Sequence, residues 1–66
     1  MRMEPLIKEI RKAKGITLRE LALSTGISSG YLSEIENGCK MPSHLKALII
    51  AKALKVDVNQ LYKIIW

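Results

Sequence analysis

The chain has 66 residues, of which 48% are hydrophobic and 26% charged, so we expect one folded domain near the smallest size at which a single core is stable. No apolar run approaches the roughly 20 residues of a membrane span, the N-terminus lacks a signal-peptide region, and the lone Cys39 offers no disulfide framework or metal-ligand set. The formal net charge of +5 is typical of nucleic-acid-binding domains, although many small proteins are basic only for solubility.

The predicted elements are five helices and no strand. The first helix begins near Glu4 and Pro5, because proline suits the first helical position, and Gly15 ends it. Arg11 is expected at the edge of the apolar stripe of this helix. The stripe itself follows helical spacing and comprises Leu6, Ile7, Ile10 and Ala13.

The next stretch, from Thr17 to Gly38, predicts two short amphipathic helices joined by a glycine turn. Thr17 and Glu20 form a capping box at the start of the first, and Ser28 is placed to start the second. Gly26 and Gly38 stand where a helix ends through a left-handed residue. Two helices joined by so short a turn must cross steeply, which is the geometry of a helix-turn-helix.

The outer face of the second of these helices is the candidate binding surface. Leu32 and Ile35 are predicted to point inward, as are Leu21 and Ala22 in the preceding helix, with Tyr31 at the border. The residues left on the outer face are Ser29, Gly30, Ser33, Glu34 and Asn37. Such a short, polar face is unusual for a helix that only packs, and in this geometry it can enter a DNA major groove.

The C-terminal third of the chain predicts two further helices. Ser43 caps a fourth helix through Leu54, and Asp57 opens a fifth helix that ends at Ile65 or Trp66. The inward positions of the fourth helix are predicted to be Ala47, Leu48, Ile50, Ala51 and Leu54.

These residues resemble the Cro and phage-repressor type, or XRE-like, helix-turn-helix DNA-binding proteins over about 7–62. The motifs that carry the resemblance are Gly26-Ile27-Ser28, Leu32-Ser33, Ile35-Glu36, Gly38, Pro42-Ser43 and Ala51-Lys52-Ala53-Leu54. The resemblance implies an all-α, five-helix, lambda-repressor-like domain over 1–66, with the motif at about 17–37. It also implies a sequence-specific transcriptional regulator, in our interpretation a repressor, that inserts the helix 28–37 into the major groove.

The family pairs an arginine late in the first helix with a glutamate near the end of the recognition helix. The resemblance therefore implies a structural ion pair between Arg11 and Glu36. A buried, bidentate pair would fix the recognition helix to the first helix. A solvated pair would contribute less than about 1 kcal/mol.

The resemblance also implies a set of DNA-binding residues. They are Thr17, Leu18, Arg19, Ser28, Ser29, Gly30, Tyr31, Ser33, Glu34, Asn37 and Lys40. The amides at Thr17 and Leu18, and those from Asn37 to Lys40, are expected to face phosphates. Glu34 can accept a hydrogen bond from cytosine N4, or it only pairs with a nearby lysine. Tyr31 either reaches the sugar-phosphate backbone or caps the core.

The C-terminal residues are too apolar for a free tail. Leu61, Ile64, Ile65 and Trp66 either fold back over the core or form a two-fold dimer interface. We expect the latter, and hence a homodimer bound to double-stranded DNA at a pseudo-palindromic operator.

The expected setting is a bacterial or phage-encoded cytoplasmic protein that is associated with the nucleoid and is controlled by a partner protein, by dimerisation or by its cellular concentration. No cofactor, metal or catalytic residue is expected, because His44 and Cys39 stand alone. A second hypothesis is a protein-interaction module, such as an antitoxin or anti-repressor partner with secondary DNA binding. The sparse recognition face and an apolar edge at Leu45 and Ile49 favour that alternative.

Overall fold

Four α-helices and a two-stranded antiparallel ribbon make up the protein in a computed structural model that describes residues 1–66. In chain order the elements are β1 (Arg2–Pro5), α1 (Ile7–Ala13), α2 (Leu18–Thr25), α3 (Ser29–Glu36), α4 (His44–Leu54), a 3-10 turn (Val58–Gln60) and β2 (Tyr62–Ile65). None of the helices has the length and apolarity that crossing a bilayer demands.

Side-chain caps fix the starts of α2, α3 and α4. The Thr17 hydroxyl accepts the N–H of Glu20 at 3.0 Å, and the Glu20 carboxylate accepts the N–H of Thr17 at 2.9 Å. This is the predicted capping box. Ser28 and Ser43 each accept the N–H three residues later at 3.2 Å. Between α2 and α3 the chain turns at Gly26, whose φ of 73° is readily adopted by glycine.

Nine buried apolar residues form the core, and they come from the four helices, the turn between α2 and α3, and the residue that precedes β2. They are Ile7, Leu21, Ile27, Leu32, Ile35, Ile50, Ala51, Leu54 and Leu61. Two inward assignments are wrong. Ala13 is exposed, and Leu48 is 42% exposed because it lies to the side of the stripe that α4 turns toward the core.

Both ends of the chain form strands where helices were predicted. β1 and β2 pair antiparallel, with Arg2 opposite Ile65 and Pro5 opposite Tyr62. The fold is therefore not all-α, and it has no fifth helix. The first helix begins at Ile7, two residues beyond the predicted proline start.

The physical reason lies in the tertiary pairing of the two ends. The predicted start at Asp57 does form a capping box with Gln60, but it opens a single 3-10 turn. The segment that follows is rich in aromatic and β-branched residues, which suit a pleated strand. Its partner strand lies at the other end of the chain, so a local pattern could not reveal the pairing.

Candidate nucleic-acid interface

A buried ion pair joins α1 to α3. The Nε of Arg11 donates to Oε2 of Glu36 at 2.7 Å, and its Nη2 donates to Oε1 at 3.2 Å. Its Nη1 donates to the carbonyl oxygen of Ile16 at 2.9 Å. Both charged residues are less than a tenth exposed, so the charges are compensated by direct, charge-assisted hydrogen bonds rather than by water. The C-terminal end of α3 is thereby held against α1 and the α1–α2 loop.

The opposite side of α3 is open to solvent. Ser29, Gly30 and Glu34 are exposed there, and Ser33 is half-buried beside them. A Cβ added at Gly30 would meet no atom within 4 Å, so the packing of the protein does not require glycine at this position. The bare backbone would let another molecule approach α3 closely.

Glu34, the acidic residue of this face, already has a partner. Its Oε1 lies 3.7 Å from the Nζ of Lys40, and the two side chains are 47% and 51% exposed. An exposed pair of this kind contributes only about 0–1 kcal/mol, because water competes for both charges. The lysine pairing considered for Glu34 thus exists in the free protein, and it is weak enough to exchange for DNA.

The backbone N–H groups of the loop after α3 are all used within the protein. The N–H groups from Asn37 to Lys40 all donate to carbonyl oxygens of α3, at distances of 2.8–3.3 Å. They do so because Gly38, with a φ of 79°, closes the helix and satisfies its last carbonyls. The expectation that these amides face phosphates is therefore wrong.

The start of α2 retains part of its predicted capacity for anions. The N–H of Thr17 is used by Glu20. The N–H of Leu18 has no partner within the protein and lies at the N-terminus of α2, where the helix dipole favours an anion. The side chain of Arg19 is exposed next to it.

Tyr31 lies between the core and two lysines. It is half-buried against the core cluster, and the Nζ atoms of Lys46 and Lys40 are 4.3 Å and 5.4 Å from the centre of its ring. These are cation–π distances. Lys46 was not among the predicted site residues. Its only sequence signal is its place in the first turn of α4, after the Ser43 cap.

A sequence profile of the helix-turn-helix family matches residues 7–61, which span α1 to the 3-10 turn. The chain belongs to the XRE-type helix-turn-helix family. It therefore contains the helix-turn-helix of that family, in which α3 is the second, or recognition, helix.

The chain is similar to proteins of bacteria and phages. An uncharacterised regulator of this type from Mycobacterium tuberculosis is 39% identical over 56 residues, or 85% of this chain and 40% of that protein. The ImmF control region 10 kDa protein of Bacillus phage phi105 is 43% identical over 56 residues, or 85% and 62% of the two chains. The chain thus spans 40–62% of the length of these relatives.

A solved structure shares the fold of this helix-turn-helix domain. The restriction-modification controller protein C.AhdI from Aeromonas hydrophila aligns with a TM-score of 0.78 and 30% sequence identity, covering 82% of each chain. The alignment therefore extends beyond the motif to most of the helical domain.

The capping box at the start of α2 also lowers the pKa of Glu20. The N–H of Thr17, and after it the Thr17 hydroxyl, hold the pKa of the exposed Glu20 carboxyl below its ordinary value of 4.5. Glu20 therefore keeps its negative charge at the N-terminus of α2.

The residues predicted to form the dimer interface divide into two groups. Leu61 is fully buried within the protomer, where it seals the base of the ribbon, so it is a core residue and cannot contact a second copy. Ile64 is 50% exposed and Trp66 is 92% exposed, while Ile65 is half-buried. The last three stay available for an interface.

Proposed function

We propose that this helix-turn-helix regulator is a repressor that binds a pseudo-palindromic operator as a homodimer and places α3 in the major groove. The observation that carries the proposal is the buried pair of Arg11 and Glu36, because it seats α3 with its short polar face outward. Two half-sites would lie about one helical turn of DNA apart. Acting on chromosomal DNA, the protein would work in the cytoplasm at the nucleoid.

Affinity would come chiefly from phosphates. The net charge of +5 favours a polyanion, and the Leu18 N–H with the side chains of Arg19, Asn37 and Lys40 flanks the exposed face of α3. Contacts of this kind position a protein on the duplex without selecting its sequence.

Sequence discrimination would rest on Glu34. Ser29 and Ser33 can bond to more than one base, and Gly30 has no side chain, so they discriminate weakly. On DNA, the Glu34 carboxylate would exchange Lys40 for the N4 amino group of a cytosine. Lys40 would then be free to bind a phosphate.

The test is selection of bound duplexes from a randomised pool, followed by affinity measurements on every single-base variant of the selected site. In Glu34→Gln we expect the preference at one cytosine to fall about tenfold or more, since a good base contact is worth about 1–3 kcal/mol. Glu9→Gln, which removes an exposed acid from α1, is the matched control and should keep the preference. If Glu34→Gln changes the affinity for every site variant by the same factor, Glu34 does not read a base.

A protein-interaction module is the second candidate function. Leu45 of the predicted edge is 67% exposed and Ile49 is half-buried, so the apolar edge runs instead from Leu45 to Leu48, which is 42% exposed one turn away. A partner protein could cover this edge. Binding to random duplex DNA at two salt concentrations separates the two functions. A DNA-binding function predicts a steep loss of affinity with salt, whereas weak binding at low salt would favour the interaction module.

A further inference from the structure

The hydrogen-bond pattern of the ribbon shows which backbone groups are unpaired. The N–H of Leu6 donates to the carbonyl oxygen of Leu61 at 2.8 Å, and the register continues from there to Arg2 opposite Ile65. In an antiparallel pair, residues that exchange hydrogen bonds alternate with residues whose N–H and C=O point away. Glu4 and Lys63 therefore exchange backbone hydrogen bonds. The residues that flank Glu4 and those that flank Lys63 have backbone groups that point outward.

The two edges of the ribbon differ in what they offer a further strand. On β1, one of the outward positions is Pro5, which has no N–H and so blunts that edge. On β2, the outward positions are Tyr62 and Ile64, and both have an N–H and a C=O. No third strand lies beside β2, and neither residue takes part in a backbone hydrogen bond outside the regular elements.

The same alternation separates the side chains of the ribbon into two faces. One face carries the apolar side chains of the residues whose backbone N–H and C=O groups point outward. It adjoins a groove of about 390 Å³ whose lining includes Met3, Tyr62 and Ile64. An extension of β2 by one residue would place the side chain of Trp66 on this face as well. The other face carries Arg2, Glu4, Lys63 and Ile65.

We infer that two copies of the chain join β2 to β2 across a two-fold axis, giving a four-stranded antiparallel sheet in which Ile64 lies opposite Ile64 of the second copy. The inference rests on the homodimer of the proposed function and specifies how it forms. The outward N–H and C=O groups of Ile64 would pair with those of Ile64 in the second copy, and those of Tyr62 would pair with Trp66 once β2 extends by one residue.

The side chains favour this register over its neighbour. With Ile64 on the axis, Tyr62 faces Trp66 of the second copy, and such cross-strand aromatic pairs are stabilising. Lys63 then faces Ile65. Shifting the axis to Lys63 would set two lysines directly opposite each other, which is destabilising, and would leave Trp66 without a partner. The strand is thus self-complementary in one register, which is why we assign the edge to a second copy.

A pair of proline variants tests the edge. Ile64→Pro removes an outward N–H and no bond of the β1–β2 ladder. Met3→Pro does the same on β1 and is the matched control. By sedimentation equilibrium we expect Ile64→Pro to weaken dimerisation about tenfold or more, since one hydrogen bond is lost in each copy, and Met3→Pro to leave it unchanged. Equal effects in the two variants, with thermal unfolding still cooperative in both, would overturn the inference.

Disulfide trapping gives a second measurement that does not depend on proline being tolerated. In a Cys39→Ser background, oxidised glutathione takes two electrons from two thiols, is reduced to two glutathione molecules, and leaves one intermolecular disulfide. Ile64→Cys should cross-link at least tenfold faster than Lys63→Cys, because only position 64 meets its own copy at about 5.5 Å between Cα atoms. Equal rates would overturn the register.

DNA binding by the wild-type chain distinguishes failure of the β2 pairing from failure of the proposed function. If the protein binds a palindromic duplex as a dimer but Ile64→Pro dimerises as the wild type does, the β2 pairing is wrong and the proposed function stands. If Ile64→Cys cross-links rapidly but the wild type binds no duplex, the β2 pairing stands and the proposed function is wrong.

Discussion

The recognition helix and the terminal ribbon are held to the core in different ways. α3 contributes Leu32 and Ile35 to the core, and its last residue is fixed by a buried ion pair. The ribbon is anchored at its base by Leu61, which is fully buried, but toward its tip Ile64 and Trp66 are half to almost fully exposed.

This difference shows where each region obtains its stability. α3 is seated entirely by its own protomer, so the face that it presents is fixed before any ligand arrives, and less ordering is needed on binding. The ribbon leaves apolar side chains and backbone groups uncovered, which a second copy can cover.

The largest expected effect is at the buried pair. Arg11→Met should lower the free energy of unfolding by about 3–5 kcal/mol, because it leaves the Glu36 carboxylate buried without a compensating charge. For a domain of this size, the melting temperature would fall by more than about 12 °C. Urea unfolding monitored by circular dichroism measures the change.

The double variant Arg11→Met/Glu36→Leu is the control for that measurement. It removes both charges together, so most of the lost stability should return. If Arg11→Met melts within a degree of the wild type, the pair does not seat α3 energetically, and the contrast with the ribbon disappears.

The next effect separates the base of the ribbon from its tip. Leu61→Ala should cost about 2–5 kcal/mol, since it opens a cavity in the core. Ile64→Ala, measured at a concentration too low for dimers, should stay within about 0.5 kcal/mol of the wild type, as surface substitutions usually do. Similar losses in both would mean that the ribbon packs tightly along its whole length.

The same contrast explains which parts of the molecule could be predicted from the sequence. The capping box at Thr17 and the turn at Gly26 were predicted correctly, because each depends on residues within three or four positions of one another. The ribbon was missed because Pro5 and Tyr62 become neighbours only in the folded chain.

Prediction of the candidate site from the sequence was limited in the same way. The partners Arg11 and Glu36 came from the family resemblance, and their geometry agrees with it. The use of the amides around Gly38 was predicted wrongly. Whether an N–H is free depends on how the helix closes, and a glycine at that position is compatible with several closures. The ring of Tyr31 near Lys46 joins elements that no local pattern connects.

Glycine substitutions at two lysines, one inside α4 and one at its C-terminal end, are expected to change stability by smaller amounts and in opposite directions. Lys55 ends the helix with φ 58° and ψ 42°, the left-handed conformation that costs a non-glycine residue about 1 kcal/mol. Lys55→Gly should therefore stabilise the protein by about 1 kcal/mol. Lys52→Gly, at an exposed position inside α4, should destabilise it by up to about 1 kcal/mol. Denaturant unfolding of both gives the signs, and a loss at Lys55→Gly would mean that its side chain stabilises the helix end.

The smallest effect appears only at alkaline pH and is confined to the ribbon. Burial raises the pKa of the Tyr62 phenol above its ordinary value of 10.0, and its buried hydroxyl has no hydrogen-bond partner. Because the folded state holds this proton more tightly than the unfolded state, the contribution to stability is fully present below pH 10 and is lost as the pH rises through the folded pKa.

Tyr62→Phe removes the ionising group and the unpaired hydroxyl together, so it should equal or exceed the wild type in stability at neutral pH and exceed it increasingly above pH 10. Lysines titrate in both proteins alike, so the difference between their urea midpoints isolates Tyr62. A difference that stays constant from pH 8 to pH 11 would show that the phenol ionises as it does in water and that the base of the ribbon is more open than the structure indicates.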